Sequence, residues 1–92
     1  MSTQLEMASD ELLDRYSVVL IHLGARHGIS GLRHGGPGWL VGDVADGRTL
    51  TDMALFEAEA ESLLGAGVAL MASDAPAASG VAGAQLRVAT AA

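Results

Sequence analysis

The sequence has no cysteine, which removes disulfides, thiolate metal sites and cysteine nucleophiles from the chemistry open to this 92-residue chain. Lysine is also absent, and the five arginines are scattered and outnumbered by 11 acidic residues, for a formal charge of −6. A nucleic-acid binder concentrates positive charge to displace the counterions of phosphates. The sequence therefore argues against nucleic-acid binding, and its acidity fits solubility or a basic partner.

Aromatic residues and long apolar runs are scarce as well. One Trp, one Tyr and one Phe contribute to an apolar fraction of 50%, so alanine, glycine and aliphatic residues must build one modest core in one domain. No apolar run approaches the ~18 residues that a membrane span needs. The first residues carry acids and no basic residue, unlike a signal peptide. Together with the missing cysteine, this predicts a cytoplasmic protein with no membrane contact.

The clearest structural signals lie in residues 43–70. Thr49 and Asp52 have the spacing of a shortened capping box at a helix start, and Gly65 supplies the left-handed residue that ends a helix. Residues 68–72 form an uncharged apolar run, which predicts a buried strand. This pattern predicts a strand–helix–strand unit with a right-handed crossover. The predicted apolar face of the helix consists of Met53, Phe56, Ala60, Leu63 and Leu64.

The N-terminal half predicts another helix over residues 10–27, with Ser9 as its N-cap. Two short strands follow at residues 29–32 and 39–44. Only six residues separate these strands, too few for a parallel crossover, so they are expected to pair antiparallel. The predicted apolar face of this helix consists of Leu12, Leu13, Tyr16, Val19, Leu20 and Leu23.

The predicted fold class is therefore α/β (α+β), with a small mixed sheet of about three strands and two or three packed helices. Residues 1–8 are expected to be disordered, and residues 9–92 to form a single domain. The Ala- and Val-rich end, residues 77–92, is open to two interpretations, a weak helix or a partly disordered tail.

In order along the chain, several motifs resemble those of the minimal nucleotidyltransferase domains, small α/β proteins paired with HEPN-type partners in bacterial toxin–antitoxin operons. The likeness lies in ARHGISGLR at residues 25–33 and most specifically in DGRTL at 46–50 with LLG at 63–65. The resemblance implies a truncated nucleotidyltransferase-like fold. In that family the activity is transfer of a nucleotide from a triphosphate to a protein or RNA hydroxyl.

The active-site motifs of the family are missing from this chain. Its members place a Gly-Ser pair at a helix start, then Asp-x-Asp, then a third acid, so that carboxylates hold Mg²⁺ beside a phosphate cradle. Here HGGPGWLV follows Arg33, and Ala69 stands where the third acid is expected. The resemblance thus implies a degenerate member with no catalytic residue, no metal ligand and no cofactor. The function it implies is non-catalytic binding, as the antitoxin-like partner of a HEPN-type toxin.

Two alternatives remain open. One is an active nucleotidyltransferase that uses displaced acids, Asp43, Asp46 and Asp74, with Mg²⁺ and a nucleoside triphosphate to modify a partner protein. It requires these three carboxylates to converge. The other is a structural homodimer, which associates through a sheet face left uncovered by the missing helix.

The remaining candidate residues each have a structural and a functional interpretation. Gly35, Gly36 and Gly38 form either a flexible turn or a residual anion- or nucleotide-binding loop, although the segment lacks the Lys-Ser/Thr of a P-loop. Trp39 is either a core residue or an exposed interface anchor. Glu57 and Glu61 share one helix face, which is either solvated or a contact surface for a basic partner. The histidines share no helix face, which argues against a zinc site.

Overall fold

The computed structural model describes residues 6–78 together with Gly83 and Leu86. In this part of the chain a mixed three-stranded sheet carries three helices on one face, which confirms the predicted fold class. No helix there has the length and apolar content to cross a membrane. The helices are α1 (Asp10–Arg15), α2 (Ser17–Arg26) and α3 (Leu50–Leu64), and the strands are β1 (Ile29–His34), β2 (Trp39–Val44) and β3 (Ala69–Ala72), followed by a short 3-10 helix (Pro76–Ala78).

The sheet has the order β1-β2-β3, so that β2 is bonded on both sides. The pairing of β1 with β2 is antiparallel and that of β2 with β3 is parallel, as the connection lengths predicted. Strand β1 is two residues longer than expected, which leaves residues 35–38 as the hairpin turn. Helix α3 forms the crossover between the two parallel strands.

A β-bulge in the middle of β1 determines which of its residues enter the core. Gly31 has a left-handed φ of 61°, and the register with β2 shifts by one residue there. Because side chains alternate along a regular strand, Ile29 and Leu32 would otherwise point to opposite faces. Here both are buried, and both contact Gly42 of β2, where a Cβ atom would lie 2.6 Å from Ile29 Cγ2.

The capping signals of α3 are confirmed. The Asp52 carboxylate accepts the backbone N–H of Thr49 at 3.0 Å, and Gly65 ends the helix with φ 68°. Phe56 and Ala60 are fully buried. The expectation that Leu63 belongs to the core is wrong, because 53% of it is exposed.

The prediction of one continuous helix over residues 10–27 is wrong. Tyr16 leaves the helical conformation, with φ −103° and ψ 20°, and separates α1 from α2. Ser17 is buried next to this break, whereas Tyr16 and Val19 of the predicted apolar face are exposed. Periodicity alone did not show the break because Leu13 and Leu20, one on each helix, are both fully buried. Ser9 caps α1 as predicted, accepting the Leu12 N–H at 3.1 Å.

The ends of the described chain are attached to the domain. Residues 6–8 were expected to be disordered, but Gly67 N–H donates to Glu6 O at 2.7 Å and Ala8 is buried in the core. At the other end, Gly83 and Leu86 donate N–H groups to carbonyls of β1, and Leu86 joins the same core. Residues 1–5 and the rest of 79–92 lie outside the described residues, so neither interpretation of the tail is tested there.

Two carboxylates of α3 cover the outer edge of β3. Leu70 N–H donates to Glu57 Oε2 at 2.7 Å, and Val68 N–H donates to Glu61 Oε2 at 3.2 Å. Strand edges with unpaired N–H groups are templates for the addition of another strand. The glutamates therefore satisfy this edge with side chains instead of a neighbouring strand.

We expect Glu57→Ala to lower the free energy of unfolding by about 1–3 kcal/mol, because the buried Leu70 N–H loses its acceptor. Glu57→Gln keeps an acceptor oxygen and should lose less. Urea unfolding monitored by circular dichroism measures both variants. Glu11→Ala, which removes only an exposed pair with Arg15, is the matched control. Equal losses in the Ala and Gln variants would contradict the proposed hydrogen bond.

A second prediction concerns the cap of α3. The hydrogen bond from the Thr49 backbone, aided by the charge of Arg48, holds the pKa of Asp52 below its ordinary value. A lowered pKa contributes stability above the pKa of the unfolded state, and this contribution disappears as the pH falls through the folded-state value. The melting-temperature difference between wild type and Asp52→Asn should therefore be largest near neutral pH and shrink below about pH 4. A difference that stays constant into acid would contradict this.

Candidate functional site

The three displaced acids do not form one cluster. Asp46 and Asp74 line a cavity of about 340 Å³ at the carboxyl ends of β2 and β3, beside the start of α3. Asp43 does not line this cavity, because the alternation along β2 points it to the sheet face opposite the helices. Among residues 6–78, 83 and 86, no three His, Asp or Glu side chains are grouped closely enough to hold a metal ion. The three carboxylates therefore do not converge as the displaced-acid alternative requires.

Arg48, the basic residue that lines this cavity, already has a partner. Arg48 donates to Asp52 at 3.5 Å, and Asp52 also accepts the Thr49 N–H at the helix start. A phosphate at a helix N-terminus needs such N–H groups and cations to be available. The remaining charged lining residues, Asp46 and Asp74, are acidic. The cavity thus resembles neither a phosphate cradle nor a metal site.

Asp43 instead connects the three strands on the sheet face opposite the helices. Its Oδ1 accepts a hydrogen bond from Ser73 Oγ at 2.6 Å and another from Arg33 at 3.1 Å. The Ser73 bond, followed by the Arg33 bond, holds the pKa of Asp43 below its ordinary value. Arg33 belongs to β1, Asp43 to β2, and Ser73 follows β3. The arrangement is a structural crosslink, which the sequence did not predict because it depends on strand register.

The glycine segment forms the β1–β2 turn. Gly35 N–H donates to Trp39 O, and Trp39 N–H donates to Gly36 O, both at 2.9 Å. Gly38 has φ 75° and lies beneath Met7, where a Cβ atom would approach Met7 Cε to 2.5 Å. These contacts explain the glycines by turn geometry and close packing. The anion- or nucleotide-binding role of Gly35, Gly36 and Gly38 stays a prediction.

The three candidate interface residues occupy two separate places. Trp39 is 39% exposed on the sheet face opposite the helices, where the neighbouring Val41 is buried. Glu57 and Glu61 are half-buried, and their carboxylates accept the N–H groups of Leu70 in β3 and of Val68 just before it. Their placement differs from a solvated acidic face. An interface role for Trp39, Glu57 or Glu61 stays a prediction.

Two histidines connect helices to their neighbours. His27 Nε2 lies 3.1 Å from Glu59 Oε2, which joins the end of α2 to α3. His34 Nε2 lies 2.9 Å from Asp14 Oδ1, which joins β1 to α1. Both histidines are largely buried, with 13% and 12% of their side chains exposed. They therefore hold the helices in position on the sheet.

An uncovered apolar surface lies where α2 and α3 meet. Two adjoining cavities of about 260 and 270 Å³ run between these helices, with Leu23, Arg26 and Leu63 lining both. Val19 and Leu63, which periodicity assigned to the core, are exposed here. We call this surface the α2–α3 face. Its members are Val18, Val19, His22, Leu23 and Arg26 of α2, with Leu55, Glu59, Ser62 and Leu63 of α3.

The charges of the α2–α3 face differ from those of the chain as a whole. Helix α2 contains no acidic residue, in a chain of formal charge −6. Arg26 has no carboxylate within 4 Å among the described residues, whereas Arg15, Arg33 and Arg48 each have one. Glu59 lies on the opposite rim of the groove, with 41% of its side chain exposed. The face therefore presents one unpaired cation and one accessible anion around an apolar centre.

Three comparisons, with protein-family models, with curated proteins and with solved structures, leave the resemblance described above a prediction. Fold class alone does not identify a family. None of the three comparisons finds a match to this chain.

Proposed function

We propose that this chain is a non-catalytic protein-binding domain that acts through the α2–α3 face. The observation that carries the proposal is the exposure of Val18, Val19, Leu55 and Leu63, each 43–53% exposed. Contiguous apolar surface of this kind, rimmed by polar groups, is typical of interaction sites. Fully burying an exposed Val or Leu side chain contributes about 1.5–3 kcal/mol, and covering one that is half exposed contributes about half of that. A partner that covers this face therefore gains much of its affinity there.

The non-catalytic part of the proposal is supported by the separation of the acids. Asp43 is held by Arg33 and Ser73, while Asp46 and Asp74 stand at another site. Phosphoryl-transfer chemistry needs carboxylates that converge on shared metal ions. An active nucleotidyltransferase built on these acids would need a rearrangement of the sheet and the loops after β2 and β3.

The proposed partner is a protein chain. The resemblance to minimal nucleotidyltransferases makes a HEPN-type toxin the first heterologous candidate, with this chain in an antitoxin-like role in the cytoplasm. A second copy of this chain is the other candidate. A second copy would present apolar helical surface, which suits a groove between two helices.

A transfer assay and a binding assay test the two parts of this proposal. Purified protein is incubated with labelled ATP or CTP, Mg²⁺ and a HEPN-type protein encoded by the neighbouring gene, and complexes are then weighed by light scattering after gel filtration. We expect no transfer of label. We expect a complex, with the HEPN-type protein or between copies, that Val19→Asp and Leu63→Asp each weaken about tenfold or more, because a charge replaces apolar contact.

Leu50→Asp is the matched control, since Leu50 is 80% exposed on α3 but lies beside the other cavity. It should leave the complex intact. Label transfer that depends on Mg²⁺ and is lost in Asp46→Asn or Asp74→Asn would establish the displaced-acid enzyme instead. A chain that stays monomeric and forms no complex would contradict the binding function.

A further inference from the structure

We infer that the α2–α3 face is covered by a second copy of this chain, related by a two-fold axis that brings the two α2 helices together. The inference rests on the function proposed above and names its partner. In such a dimer each copy supplies both the groove and the helix that enters the groove of the other. The two copies together form a four-helix layer with a sheet on each side.

The shape of the face suits a helix from the same chain. Leu23, 5% exposed, lies at the bottom of the groove between α2 and α3. Helices that dock into such grooves present exposed apolar side chains to them. Helix α2 offers Val18 and Val19, which are 46% and 43% exposed and line the same groove. The α2 helix of a second copy therefore brings apolar side chains to the groove of the first.

The distribution of charge favours a dimer that brings the two α2 helices together. Two chains of formal charge −6 repel where their acids meet, and α2 is a helix without acids. Arg26 and Glu59 stand on the same groove, with opposite charges. A two-fold axis pairs Arg26 of each copy with Glu59 of the other, so the contact forms twice. Arg26, which has no carboxylate within 4 Å among the described residues, gains a partner in this way.

The size of the face predicts a weak dimer. Stable complexes bury about 800 Å² per partner and use about 20–30 residues a side. The chain exposes 5775 Å², so such an interface would cover about a seventh of it. The α2–α3 face offers fewer than half that number of residues. We therefore expect a dissociation constant on the order of micromolar.

The first experiment is sedimentation equilibrium of the full chain from low micromolar to near-millimolar concentration. The expected average mass rises from the 9.3 kDa of one chain to about twice that value. Val19→Asp should shift the equilibrium toward monomer by about tenfold or more, and Leu50→Glu should not.

An exchange of charges then tests the two-fold arrangement. Arg26→Glu alone places like charges in both contacts, and Glu59→Arg alone does the same, so each variant should dimerise about tenfold or more weakly. An equimolar mixture of the two variants restores opposite charges in both contacts and should recover the dimer. Arg15→Glu, a charge reversal on α1 outside the face, is the matched control. Thermal unfolding checks that each variant is folded. Glu59→Arg also removes the contact with His27. If that variant does not fold, Val19→Asp serves as the test of the dimer.

Several results would overturn the inference. A wild-type chain that stays at 9.3 kDa throughout would do so. So would a dimer that persists in Val19→Asp, or two folded charge variants whose mixture stays monomeric. A monomer that binds the HEPN-type protein through Val19 and Leu63 would overturn the homodimer and support the proposed function. Mg²⁺-dependent label transfer would overturn the non-catalytic function, while a dimer sensitive to Val19→Asp would still support the two-fold pairing.

Discussion

The width of the sheet limits what this domain can bury. Neighbouring strands lie about 4.8 Å apart, so three strands offer a surface roughly 15 Å wide. A helix with its side chains is about 10 Å in diameter, so this surface seats fewer than two helices side by side. Three helices nevertheless pack on one face here. The exposure of Val19 and Leu63, whose spacing indicates core positions, follows from this mismatch.

The acids of the chain act mainly within the fold. The sequence presents them as an acidic surface, yet most of those in the described region accept hydrogen bonds or pair with a histidine or arginine. They close the edge of β3, cap α3, join helices to their neighbours and connect the strands on the sheet face opposite the helices. A chain with few aromatic residues and a thin core thus gains order from polar contacts that are each worth only about 0.5–1.5 kcal/mol. The residues concerned are Asp14, Asp43, Asp52, Glu57, Glu59 and Glu61.

Local signals in the sequence predicted the parts of the fold that depend on residues close together along the chain. The start and end of α3 followed from Thr49, Asp52 and Gly65, and the antiparallel hairpin followed from a connection too short to cross over. The break at Tyr16 was not predictable in this way, because the apolar spacing continues across it. The hydrogen-bond partner of Glu57 depends on where β3 lies relative to α3, and no local sequence pattern specifies this. Val19 of α2 and Leu63 of α3 were assigned to the core because periodicity marks an apolar face without showing what covers it.

The bulge in β1 determines which sheet face the second half of that strand presents. Pairing all six residues of β1 with β2 in simple alternation would turn Leu32 outward and bring the Arg33 guanidinium beneath the helices. The same change would break the contact between Arg33 and Asp43 on the other side of the sheet. A β1 strand without the bulge would therefore need one residue fewer between Ile29 and Leu32 to keep both side chains in the core.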